Sequence, residues 1–106
     1  MDVKLTNDAD KLVCSLYKCY LEKRKSGIDK VVARNFEFSE IQPLKSCSNW
    51  TSADIKATVA EISRAGLGTM YFSGGFNGND QFIIYMENRF KNGLKEVTDF
   101  IGNFIP

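Results

Sequence analysis

The chain reads as a mainly α domain carrying one small β-hairpin. Three observations carry that reading. A long stretch near each end repeats apolar residues at helical spacing. Between them, a capped helical segment ends at Gly66. Two short runs rich in aromatic and β-branched residues then flank a Gly/Asn segment, Ser73-Gly74-Gly75-Phe76-Asn77-Gly78-Asn79-Asp80.

The first helix is predicted over residues 8–25. Asn7 or Asp8 can cap it, Lys23, Arg24 and Lys25 suit its last turn, and Gly27 stops it. Ala9, Leu12, Val13, Leu16, Cys19 and Tyr20 form its apolar stripe. Tyr17 and Leu21 widen that stripe, so this face either packs on two sides internally or meets another subunit. Residues 29–36 predict a short second helix, capped by Asp29 and burying Val32, Ala33 and Phe36. Residues 37–49 read as irregular, with Ile41 and Leu44 turned to the core and room for a short edge strand.

Thr51 and Ser52 are both candidate caps for a third helix over residues 53–65, and Thr51 with Asp54 makes a capping box. Ile55, Val59 and Ile62 are its inner stripe, and Leu67 closes the core behind it. The hairpin is expected over 68–85, with strands at 69–72 and 81–85 and with Phe72 and Ile84 inward. One long helix over 86–104 follows. Its stripe is Met86, Phe90, Leu94, Val97, Phe100, Ile101 and Phe104.

The 106 residues make one domain, 1–106, and the net charge is only +1. A dedicated nucleic-acid binder usually carries a basic excess or a basic face, because phosphate neutralisation dominates its affinity. No apolar run nears the roughly 18 residues of a membrane span, and the N-terminus lacks a signal-peptide stretch. The expectation is a cytoplasmic chain with no membrane partner. The absence of histidine removes Ser-His-Asp and Cys-His catalysis and the commonest metal ligand. No phosphate loop, dinucleotide fingerprint or calcium loop occurs. No catalytic residue, metal or cofactor is therefore expected, and Cys14, Cys19 and Cys47 read as reduced thiols.

Four segments arrive in a familiar order: Leu16-Tyr17-Lys18 to Ile28, Ala33-Arg34-Asn35-Phe36, Asp54-Ile55 to Leu67, and Ile84-Tyr85-Met86-Glu87-Asn88-Arg89-Phe90. Together they resemble small, often prophage-borne winged helix-turn-helix proteins of Gram-positive bacteria. The likeness covers nearly the whole chain. It implies a single winged helix-turn-helix domain with a long C-terminal helix, a recognition-like helix at 53–65 and a wing tip at 73–80.

Two functions fit that fold. The first is a regulator binding double-stranded DNA. Lys30, Arg34, Lys56 and Arg64 would be its cations, Thr51 and Ser52 its phosphate contact, and Ala57 and Ala60 its close-approach surface. The second is a protein-binding module, such as a phage-encoded inhibitor or adaptor, in which Phe76 at the wing anchors the partner. The apolar end of the chain, Phe100, Ile101, Phe104 and Ile105, needs cover. Either the first helix supplies it, or a second copy does, giving a homodimer through the C-terminal helix.

Overall fold

The computed structural model describes residues 3–103. It is mainly helical, with a small three-stranded antiparallel sheet. Helix α1 spans Asn7–Lys25 and starts one residue earlier than expected. Its cap is Thr6, whose hydroxyl accepts from the Ala9 N–H. Glu61 holds the same residue, accepting from Thr6 N–H at 2.8 Å and from its hydroxyl at 2.7 Å. At the other end, Gly27 N–H donates to the Arg24 carbonyl and Ile28 N–H to that of Lys23, the paired closure of a Schellman stop.

Helix α2 covers only Lys30–Ala33. The expected second helix is cut short because Asn35–Phe36 leave it as strand β1. Ala33 and Phe36 are buried as expected, whereas Val32 is 59% exposed. Helix α3, Phe38–Ile41, and a 3-10 turn at Lys45–Cys47 occupy the stretch read as irregular. Helix α4 is Ser52–Arg64, and its capping box forms as read. Asp54 N–H donates to Thr51 Oγ1 at 3.1 Å, and Thr51 N–H donates to Asp54 Oδ2 at 3.3 Å.

Strands β2, Gly68–Met70, and β3, Phe76–Gly78, make the hairpin. The sheet order is β1-β3-β2, with Phe36 and Met70 flanking Phe76. The return strand thus comes from residues read as turn. Residues 81–85, read as that strand, lie instead in helix α5, Asp80–Arg89. The reason is a cap and a period. Asn79 Oδ1 accepts from Phe82 N–H at 3.1 Å. Phe82, Met86 and Phe90 then recur every four residues and are buried together with Ile83. Two expected core residues change sides as a result. Ile84 falls on the outer face of α5, 47% exposed, and Phe72 stands fully exposed. Phe76, expected at an exposed wing tip, is fully buried and meets Phe82 edge to face at 6.0 Å.

The long terminal helix is also corrected. It is two helices, α5 and α6, Leu94–Gly102. The chain turns through Lys91-Asn92-Gly93, and Gly93 adopts φ +70, a region that β-carbons disfavour. Phe104 and Ile105 lie outside the described residues.

Helix α1 is the centre of the molecule and packs against α4, α5 and α6. Leu12, Leu16, Tyr20, Ile55, Val59, Ile62, Leu67, Phe90 and Val97 are buried as expected, and Leu94 is half-buried. Arg89 clamps the α5–α6 corner onto α1. Its guanidinium bonds both carboxylate oxygens of Asp10, the Nη2–Oδ2 contact being 3.0 Å, and lies over the rings of Phe90 and Phe100. Among the described residues, no helix is long and apolar enough to cross a membrane.

Candidate functional site

Helix α4 presents one uncovered face. Ser52, Ala53, Lys56, Ala57 and Arg64 are exposed along it, and Ala60 is half-buried. Their spacing puts them opposite the stripe of Ile55, Val59 and Ile62 that enters the core. Beside this face stands the hairpin. Tyr71 N–H donates to the Gly75 carbonyl at 2.8 Å and Gly74 N–H donates back to Tyr71 at 2.9 Å. This tight turn places Phe72 and Ser73 at the apex.

Helix and hairpin tip are knit together. The stem of Lys56 lies along Gly74, where an added β-carbon would come within 3.0 Å of Lys56 Cε and 2.8 Å of the Phe38 ring. Gly74 also has φ +101, so both its conformation and its neighbours call for glycine. The Lys56 ammonium sits 5.4 Å from the centre of the Phe38 ring.

Six of the sequence-predicted site residues therefore share α4 and its cap: Thr51, Ser52, Lys56, Ala57, Ala60 and Arg64. Lys30 and Arg34 stand elsewhere, beside α5. Arg34 Nη1 is bonded to Asp80 Oδ1 at 2.7 Å, and Lys30 lines a groove with Ile83 and Glu87. Lys23, in the last turn of α1, is fully engaged: its ammonium contacts Glu40 at 2.7 Å, the Asn35 carbonyl at 3.1 Å and the Phe36 ring at 4.4 Å.

The α4 N-terminus offers amides to an anion, but the Asp54 carboxylate already occupies that end through the capping box. Helix α3 brings Glu37 and Glu40, the latter paired with Lys23, and the 3-10 turn between α3 and α4 carries exposed Lys45. The exposed face of α4 itself carries Lys56 and Arg64 as its cations, with the Asp54 carboxylate at its N-terminal end.

Of the C-terminal apolar residues, Phe100 and Ile101 are described, and both pack against the core. The Phe100 ring lies tilted against Phe90, centroids 5.4 Å apart, and Ile101 lies in a groove with Ser15, Cys19 and Leu44, under α1. Burial disfavours the thiolate form at all three cysteines. Cys14, Cys19 and Cys47 form no disulfide. Burial pushes the Cys14 thiol up to about 12 and raises those of Cys19 and Cys47. Among the described residues, no group of His, Cys, Asp or Glu is placed to hold a metal ion.

The residue that sequence reasoning missed is Phe72. It was counted as core because it ends an apolar run. The signal lay just downstream, in Ser73-Gly74-Gly75, which closes a turn immediately after it. No family model matches the chain, and no curated protein or solved structure matches it.

Proposed function

We propose that this chain is a winged helix-turn-helix domain that works by docking a protein partner on α4 and its wing. The element order supports the fold assignment: α3 and α4 are joined through the 3-10 turn, α4 leads directly into a hairpin, and the hairpin returns against β1. The observation that carries the function is Phe72. A fully exposed aromatic at a hydrogen-bonded turn, with Met70 of the adjoining strand β2 also exposed, is a ready anchor for an apolar pocket. The alanines of α4 beside it let another backbone approach closely. The wing carries no cation, and Arg34 is held in an internal ion pair. A phage-encoded inhibitor or adaptor would use such a face.

Duplex DNA is the second reading, favoured by Lys56 and Arg64 on the exposed side of α4. The two separate cleanly by photo-crosslinking. A crosslinker placed at Ser73, with Phe72 intact, is expected to give a protease-sensitive, nuclease-resistant adduct in native cells. Phe72→Ser should abolish it. A nuclease-sensitive adduct would favour DNA.

A further inference from the structure

We propose that the partner lays an extended segment of its own chain along the free edge of β2, as a fourth strand of the sheet; this rests on the protein-docking reading above. The two outer edges of the sheet differ. On β1, the Asn35 carbonyl, which faces away from β3, accepts from Lys23 Nζ at 3.1 Å. On β2, the ladder fixes which main-chain groups are spent. Tyr71 N–H donates to the Gly75 carbonyl and Asn79 N–H to that of Leu67, with Thr69 facing Asn77 between them. Leu67, Thr69 and Tyr71 therefore turn their main-chain groups towards β3, and alternation turns those of Gly68 and Met70 away. Neither the N–H nor the carbonyl of Gly68, Met70 or Phe72 bonds another described residue. Thr69 and Met70, on opposite faces of the strand, are both exposed. Such edges are usually guarded by charge or proline. Residues 65–79 contain neither.

The unpaired groups choose the occupant. Donors and acceptors alternate along this edge, which matches the main chain of another strand. A phosphate backbone offers acceptors alone and would meet the Gly68 and Met70 carbonyls with repulsion. Side chains set the rest. Met70 sits directly opposite Phe76, so a segment residue beside Met70 shares its apolar face. None of the five residues from Gly68 to Phe72 is charged, so a charged residue beside them would find no counter-ion on the strand. The partner segment is thus extended, uncharged and apolar where it passes Met70. Two copies of this chain joined by so short an edge alone would fall far short of the roughly 20–30 residues a side of a stable interface. A partner that also covers the α4 face does not share that limit.

The crosslinker at Ser73 provides the test. Met70→Pro removes the outward N–H and leaves the β3 ladder its donors. It should lower the yield of the protein adduct about ten-fold, the scale of one lost main-chain hydrogen bond. Met70→Leu, which restores the N–H, should recover it. Hydrogen exchange on the purified adduct gives a second readout with Met70 intact: its amide should exchange freely in the free chain and be protected in the adduct. An absent adduct in the otherwise wild-type chain would remove the docking reading and this proposal together. A protein adduct that survives Met70→Pro, or that leaves the Met70 amide unprotected, would remove this proposal alone. An adduct between two copies of the chain would make a second copy the occupant and would also overturn it.

Discussion

The two ends of α1 and the helices around them differ sharply from the α4–wing face. On the α1–α5–α6 side, Arg89 meets Asp10, and aromatic rings meet in series from Tyr17 to Phe90 to Phe100. Nearly every large side chain there has a partner. On the α4–wing side, alanines line an open surface and Phe72 projects with nothing over it. The difference teaches where stability resides in so small a chain, and which face is free for the proposed recognition. One side holds the fold, and the other is left incomplete.

Substitutions should respect that division. The largest effect is expected for Ile62→Ala, which empties a fully buried site and should cost about 2–5 kcal/mol in urea unfolding. Alkaline pH comes next. The Cys14 thiol, at an ordinary value of 9.0 when unfolded, is pushed up to about 12 by burial in the folded chain. Its contribution is complete below pH 9 and lost as pH rises to about 12, because only the unfolded chain then ionises. A urea midpoint that falls across this window, by up to a few kcal/mol in stability, and falls less in Cys14→Ala, would bear this out. Arg89→Ala should cost about 2 kcal/mol by breaking a charged double hydrogen bond and two ring contacts. Gly74→Ala should cost about 1 kcal/mol or more, since it forces a β-carbon into φ +101 and against Phe38 and Lys56. Phe72→Ala should change stability by less than about 0.5 kcal/mol. A large loss there would mean that the wing supports the fold and would erase the contrast.

Local signals were legible and long-range ones were not. The Thr51–Asp54 box, the Gly27 stop and the stripes of α1 and α4 depend on residues within one or two turns, and they form as the sequence implies. Phe82-Ile83-Ile84-Tyr85 has strand-like composition, yet it is helical, because the Asn79 cap and the pocket for Phe82 and Met86 override propensity. Asn92-Gly93 was an available turn signal, but the apolar period carries on past it and hid the break between α5 and α6. The strand at Asn35–Phe36 is called into being by β3, some forty residues away, and nothing nearby announces it. The candidate site was half visible: α4 was located correctly, while its aromatic neighbour moved from Phe76 to Phe72 with the register of the hairpin.

The most direct test of the central claim, that the α4–wing face is made for a protein rather than for phosphate, is fluorescence anisotropy of a labelled mixed-sequence duplex through a salt series. The expected result is no salt-dependent binding even at low salt. Binding whose log K falls linearly with log salt, with a slope reduced by about two when Lys56 and Arg64 are both changed to Ala, would contradict it.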